Sequence, residues 1–98
     1  MSKMYVAVLD GVELARSDRT VEVEGNQYFP PDDVNQEYFE KSDHHTKCPW
    51  KGKASYYHIN AGGKRIDNGA WYYPAPLSGA SHIEKYVAFY SPVEVRKE

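Results

Sequence analysis

The chain of 98 residues has the length of one domain, and its 41% hydrophobic and 14% aromatic content excludes a disordered chain. A net charge of −2 argues against a general nucleic-acid binder. We expect no membrane span, because no apolar run reaches about 18 residues, and no signal peptide, because the N-terminal apolar run is short. A single cysteine allows no internal disulfide, so we expect a cytoplasmic protein.

Charge is distributed unevenly along the chain. Residues 1–47 hold ten acidic and five basic side chains, whereas residues 48–98 hold four acidic and seven basic ones. No acid lies between His44 and Ile66, but that window contains Lys47, Lys51, Lys53, Lys64 and Arg65. The centre of the sequence is therefore a local positive region on a mildly acidic protein.

The first half of the sequence predicts short strands joined by tight turns. Asp10-Gly11 lies between two extended runs and predicts a hairpin with a type I′ turn. Residues 20–25, TVEVEG, alternate and predict a strand with one wet face. Pro30-Pro31 stops the next strand, and we expect Asp32 or Asp33 to cap one or two helical turns rather than to serve as paired catalytic carboxylates.

The second half predicts further strands and one long loop. We expect residues 41–53 to be a loop and residues 54–60 to be a strand. Residues 65–73, RIDNGAWYY, predict either a strand pair or one bulged strand, because Asn68-Gly69 lies within them, and residues 81–91 predict a helical turn followed by a strand. With the alternating residues 93–97, the chain has seven or eight short strands at 8–12-residue spacing. This spacing predicts a mainly β fold, either a sandwich or a partly open barrel.

Five stretches resemble a known family and together cover almost all of the chain. They are GVELARS (11–17), YFPPDDV (28–34), TKCPWKGKASYY (46–57), GAWYYPAP (69–76) and IEKYVAFY (83–90). The chain resembles the domain-of-unknown-function family 427, small bacterial proteins that also occur in fungi. The resemblance implies a β-tent-like domain, in which two small antiparallel sheets pack at an angle. The family carries a nucleotidyltransferase-like label, which brings no catalytic residues to this sequence.

Several metal-ligand residue types lie close together. Asp43, His44, His45 and Cys48 are near neighbours in sequence, and His58 could approach from the next strand. No paired Cys-x-x-Cys knuckle is present, so we expect no metal site and solvated histidines. Neighbouring lysines could activate Cys48 as a nucleophile if a histidine lay within reach. Cysteine is one of the most buried residue types, however, so we expect a structural role.

The segment PWKGK (49–53) predicts an anion site without a Walker A motif. The G-x-x-x-x-G-K-[ST] spacing is missing, and we expect no cofactor. A glycine after a lysine lets backbone N–H groups approach a ligand, and nearby aromatic rings could stack on it. An arginine could add a bidentate contact unless it forms a surface ion pair. The candidate ligand-binding residues are Arg16, Cys48, Lys51, Gly52, Tyr56, Trp71 and Tyr73.

Two classes of function follow from these residues. The first is binding of a small anionic ring-bearing ligand, such as a nucleotide, in a cleft around residues 46–52. The alternative is a non-catalytic protein-interaction or self-association module, including a homo-oligomer, because interfaces also favour Tyr and Trp. Single-stranded nucleic acid would suit the interleaved basic and aromatic residues, but the net negative charge argues against it. The sequence leaves open whether the protein is an enzyme.

Overall fold

The computed structural model describes residues 3–98 of the chain. Within this range the chain forms nine short strands and three 3₁₀ segments. The strands are β1 (Tyr5–Leu9), β2 (Val12–Ser17), β3 (Val21–Val23), β4 (Asn26–Tyr28), β5 (Phe39–Cys48), β6 (Gly52–Ala61), β7 (Lys64–Tyr72), β8 (Val87–Phe89) and β9 (Glu94–Lys97). The 3₁₀ segments are Pro31–Asp33, Gln36–Tyr38 and Ser78–Ile83. None of the helical segments in this range has the length and apolar character needed to cross a membrane.

The strands form small antiparallel sheets, which confirms the mainly β prediction. Within residues 3–98 there are three sheets, where the β-tent resemblance implied two, with strand orders β2-β1-β9, β3-β4 and β5-β6-β7-β8. None of them closes into a barrel. The β3–β4 hairpin is nevertheless joined to the four-stranded sheet, because the amides of Phe29 and Val87 each donate to the carbonyl oxygen of the other at 2.8 Å.

Each of the first two hairpins is closed by a turn with two residues in the left-handed conformation. Asp10 and Gly11 have φ values of 48° and 81°, which confirms the turn predicted between β1 and β2. Glu24 and Gly25 make the same left-handed pair between β3 and β4, with φ values of 53° and 80°. The second turn projects Glu24 from the tip of its hairpin, next to the candidate site described below.

The loop predicted for residues 41–53 is wrong. Most of this segment is β5, which pairs with β6 through Cys48↔Gly52 at one end and Phe39↔Ile59 at the other. A bulge interrupts the ladder between Lys41 and His45. As an edge strand, β5 has mostly exposed side chains, so it lacks the apolar alternation that marks a strand in sequence.

The aspartate caps predicted for residues 32 and 33 are also wrong. The Pro31–Asp33 segment is a single 3₁₀ turn without a side-chain cap. Asp33 instead accepts hydrogen bonds from the Ser17 hydroxyl at 2.6 Å and from Arg19 at 3.1 Å. Its carboxylate therefore ties this turn to the end of β2 rather than stabilising a helix.

Of the two alternatives for residues 65–73, a strand pair or one bulged strand, the structure shows the bulged strand. Asn68 has a φ of 52°, and the β6–β7 register shifts between Tyr57 and Ile59. Gly69 is required there, because a Cβ would lie 2.8 Å from carbon atoms of both Ile59 and Ile66.

Two core clusters lie on opposite faces of the four-stranded sheet. Alternation along β7 sends Ala70 and Tyr72 to one face and Trp71 to the other. The first face packs against β1 and β2 through fully buried residues such as Leu9, Leu14 and Phe29. The second face packs against the β3–β4 hairpin and the Ser78–Ile83 segment, and it carries the candidate site.

Candidate functional site

An open cleft of about 480 Å³ lies on the second face of the four-stranded sheet. We call it the Lys51 cleft. The residues that line it include Asn26, Lys51, Tyr56, Trp71, Tyr73 and Tyr90. They come from the β3–β4 hairpin, the β5–β6 turn, two central strands and the segment after β8, so only the folded chain assembles them.

Aromatic rings form the wall of the cleft. Tyr56 and Trp71 lie directly opposite each other on β6 and β7. The Tyr90 ring lies 4.3 Å from the Trp71 ring, measured between centroids, and is nearly parallel to the Tyr56 ring at 6.4 Å. Tyr90 is 46% exposed, whereas Trp71 and Tyr56 are buried, so the outer ring is open to a planar ligand.

Hydrogen bonds fix the inner rings. The indole N–H of Trp71 donates to the hydroxyl of Tyr28 at 3.1 Å, and Tyr28 is fully buried. The Tyr28 and Trp71 rings meet edge to face at 6.1 Å. The hydroxyl groups of Thr46 and Tyr56 lie 2.8 Å apart and share a second hydrogen bond. These two hydrogen bonds hold Trp71 and Tyr56, the inner rings of the cleft wall, in position without a ligand.

Lys51 lies in the β5–β6 turn, which places its side chain in the cleft. Its carbonyl oxygen accepts a 2.9 Å hydrogen bond from the amide of Leu77, which holds the turn against the segment after β7. Gly52 follows with a φ of 107°, and a Cβ there would lie 3.3 Å from the Leu77 nitrogen. Glycine is needed at this position because the backbone is left-handed and close to its neighbour.

The Lys51 side chain is only 8% exposed, and its charge is balanced. Its ammonium group donates a hydrogen bond to the carboxylate of Glu24, whose side chain is 51% exposed. The Nζ atom also lies 5.4 Å from the centre of the Trp50 ring and 5.5 Å from that of Tyr73. These distances are within cation–π range, so the ammonium group of Lys51 lies near two aromatic rings.

The ion pair is charged at neutral pH. Burial lowers the pKa of Lys51, but the hydrogen bond to Glu24 and the nearby phenols of Tyr28 and Tyr73 raise it above its ordinary value overall. Hydrogen bonds from Lys51 and Trp50 lower the pKa of Glu24. An ammonium donates three hydrogen bonds and Glu24 takes one, so Lys51 keeps donor capacity for an anion.

Tyr73 and Tyr90 are neutral hydrogen-bonding groups at ordinary pH. Burial, together with the neighbouring Tyr56 phenol, raises the pKa of Tyr90 to about 12. Burial also raises the pKa of Tyr73, although Lys51 opposes the shift. Each phenol can therefore donate a hydrogen bond to a ligand without adding negative charge.

The structure brings four of the seven candidate residues together. Lys51, Tyr56, Trp71 and Tyr73 line one cleft, as the sequence-based hypothesis requires. Cys48 and Gly52 line a different hollow of about 460 Å³ near the β5–β6 turn.

Arg16 does not line either cavity. It lies on β2 and forms ion pairs with Glu13 and Glu98, which raise its pKa further above its ordinary value. This arrangement is the surface ion pair that the sequence left open as the alternative for Arg16.

Sequence reasoning missed the cleft residues that come from other segments. Asn26 follows the β3–β4 turn, and Tyr90 ends the IEKYVAFY run. The alternation of residues 20–25 places Glu24 only on the wet face of a strand. Nothing in its local sequence signals a pairing with Lys51, which lies 27 residues away.

The candidate metal ligands do not converge. Within residues 3–98, no group of three or more His, Cys, Asp and Glu side chains is placed to hold a metal ion. The His44 ring packs against Tyr56 at 4.6 Å, and His45 Nδ1 lies 3.2 Å from the Ser55 hydroxyl. His58 Nδ1 accepts a hydrogen bond from the Asn68 amide at 3.1 Å, within the β7 bulge. The histidines thus support strand and bulge geometry.

Comparison with known proteins identifies a family but no activity. A search of curated proteins found no match. The family described as "Domain of unknown function (DUF427)" matches residues 1–98, which is the whole chain and agrees with the resemblance noted from its motifs. The protein therefore belongs to the DUF427 family.

Proposed function

We propose that the Lys51 cleft binds a small anionic ligand with a planar ring, such as a nucleotide. One observation carries the proposal: a charged, nearly buried ammonium group lies in the same cleft as a wall of aromatic rings. Burying a charged lysine is costly unless the charge is used or paired. In this chain the cost is offset by pairing with Glu24, whose side chain is half exposed and so lies within reach of a ligand.

The dimensions of the cleft suit a ligand of this kind. Its volume of about 480 Å³ lies within the range typical of small-molecule sites, roughly 300–1,000 Å³. The exposed Tyr90 ring, supported from behind by Trp71, offers a flat surface for a base or aryl ring. Lys51 lies in the same cleft and would hold the phosphate or carboxylate attached to that ring.

The ion pair between Glu24 and Lys51 gives a second way to test anion binding. Its carboxylate occupies the Lys51 ammonium and comes from the tip of a two-residue turn. An anionic ligand would compete with this carboxylate or share the ammonium with it. Replacing Glu24 by the neutral glutamine should therefore tighten anion binding, whereas replacing Lys51 should abolish it.

A thermal-shift titration with AMP, UMP and glucose 6-phosphate tests the proposal. A ligand at a hundred times its dissociation constant should stabilise the protein by about 2.7 kcal/mol, which raises the Tm of a domain this size by roughly 10–20 °C. Lys51→Met keeps the apolar stem and removes the charge, so the shift should vanish. Lys41→Met, an exposed lysine on β5, is the matched control and should retain the shift.

Two results would contradict the proposal. The first is no shift with any probe, and the second is an equal shift in wild type and Lys51→Met. Tyr90→Ala provides a separate check on stacking, because removing a half-exposed ring leaves the core intact. It should weaken the ring-bearing nucleotides about tenfold or more and leave glucose 6-phosphate unaffected.

A specific observation also favours the alternative of a protein-interaction or self-association module. Trp50 and Leu77 are 42% and 50% exposed, and both lie beside the β5–β6 turn. Exposed large apolar side chains of this kind are common at interfaces. Sedimentation across a range of protein concentrations distinguishes the two functions: a self-association module should show a rise in apparent mass that Trp50→Ser reverses.

A further inference from the structure

A second hollow lies near the β5–β6 turn and shares no lining residue with the Lys51 cleft. We call it the Leu77 hollow. It measures about 460 Å³ and is lined by Lys47, Cys48, Pro49, Gly52, Lys53 and Leu77. Leu77, Pro49 and Cys48 give it an apolar surface, and Leu77 is half exposed although it is a large aliphatic residue. The hollow thus presents solvent-exposed apolar surface beside charged groups.

The two lysines of the Leu77 hollow repel each other. Lys47 and Lys53 are directly opposite in the β5–β6 register, and both are exposed. Like charges directly opposite on antiparallel strands destabilise a sheet. In the described part of the chain neither lysine forms an ion pair, whereas Lys51 and Lys64 both do. Among residues 3–98, then, no acidic side chain offsets the two like charges.

A single anionic group beside both ammonium groups would remove this repulsion. Two lysines on adjacent strands, lining one hollow, can hold one carboxylate or phosphate between them. The apolar part of the same molecule would then cover Leu77 and Pro49. A small inorganic anion would use only the lysines, and a neutral apolar molecule would use only Leu77 and its neighbours. The lining as a whole matches a molecule with both parts.

We propose that the Leu77 hollow is a second binding site, for a small amphiphilic anion that carries a carboxylate or phosphate on a short alkyl or aryl group. The site is independent of the Lys51 cleft, so either site can exist without the other. The proposal gives Lys47 and Lys53 the role of charge-binding residues and Leu77 the role of the apolar contact.

Amide chemical shifts of ¹⁵N-labelled protein titrated with hexanoate test the proposal. We expect saturable shifts at the amides of Lys47, Lys53 and Leu77 but not at Trp71 in the Lys51 cleft. Lys47→Gln and Lys53→Gln should each weaken hexanoate by about three- to tenfold, and Leu77→Ser should do the same by removing apolar contact. Lys41→Gln, on the same strand but opposite Tyr57, is the matched control and should leave binding unchanged.

Comparison probes separate the two parts of the ligand. 1-Hexanol and inorganic phosphate should each bind more weakly than hexanoate. Equal binding of hexanoate and 1-hexanol would overturn the role of the lysines, and equal binding of phosphate would overturn the role of the hollow. Shifts confined to the Lys51 cleft, or shifts that grow with protein concentration instead of hexanoate, would also overturn the proposal.

The free protein gives a test that needs no ligand. Lys53→Gln removes the cross-strand repulsion, so its Tm should rise by about 1–5 °C at low salt, and added salt should shrink the difference. Lys41→Gln should not produce this rise. A lower Tm for Lys53→Gln under these conditions would contradict the repulsion on which the site depends.

Discussion

The hydrogen bond between Trp71 and Tyr28 fixes the wall of the Lys51 cleft, and Tyr28→Phe removes it with the smallest possible change. The indole N–H donates to the Tyr28 hydroxyl at 3.1 Å, and both side chains are buried. Removing the hydroxyl leaves the indole N–H without a partner. An unsatisfied buried donor costs about 1–3 kcal/mol, which for a domain of this size lowers the Tm by roughly 5–20 °C.

A double-mutant cycle isolates the hydrogen bond from the packing around it. Trp71→Phe removes the donor, so Tyr28→Phe should cost much less in that background than in the wild type. Stability is best measured by urea denaturation followed by far-ultraviolet circular dichroism, since Trp71→Phe alters the fluorescence itself. Tyr38→Phe serves as the control, because its hydroxyl makes no hydrogen bond to the described residues, and its cost should stay below about 0.5 kcal/mol.

The reasoning would be refuted by a Tyr28→Phe variant as stable as the wild type, or by an equal cost of Tyr28→Phe with and without Trp71. The same variant also bears on function. A loosened Trp71 should weaken nucleotide binding in the Lys51 cleft while leaving hexanoate binding in the Leu77 hollow unchanged. Loss of binding at both sites would instead indicate a general loss of structure.

Two further predictions concern the β6–β7 pair. Gly69→Ala places a methyl group 2.8 Å from Ile59 and Ile66, so it should destabilise the protein by about 1–3 kcal/mol. Gly79→Ala is the control: the nearest atom to its new methyl group lies at 4.0 Å, so stability should change by less than about 0.5 kcal/mol. Equal denaturation midpoints for the two variants would contradict the close packing around Gly69. Burial beside another tyrosine raises the pKa of Tyr57 to about 12, so the folded state keeps this proton after the unfolded chain has lost it near pH 10. Stability should therefore fall as pH rises from about 10 through about 12, and Tyr57→Phe should reduce the slope of that fall in denaturation experiments; an unchanged slope would argue against the raised pKa.

Local sequence chemistry determined the parts of the fold that depend on neighbouring residues alone. Asp10-Gly11 predicted a turn because few residue pairs accept two left-handed positions. Asn68-Gly69 predicted a break in the strand, either a turn between two strands or a bulge, and of this pair Asn68 is the left-handed residue. The alternation of β3 followed from period-two burial. The family could be identified from linear motifs, and the match over residues 1–98 agrees with that identification.

Tertiary structure decided whatever depends on distant partners. β5 is a strand because β6 supplies its hydrogen bonds, although its exposed polar side chains are typical of a loop. Three sheets form rather than two because the β3–β4 hairpin folds over the second face of the four-stranded sheet.

The candidate site shows the same division. The sequence predicted a lysine with aromatic neighbours, and four of its seven candidates line one cleft. It could not predict that Glu24 pairs with Lys51 across 27 residues, or that Arg16 is drawn to Glu98 across 82. It also could not separate the hollow of Cys48 and Gly52 from the Lys51 cleft. Residue types and turns are encoded locally, whereas the partner of a charge and the face of a sheet are fixed only when distant strands pack together.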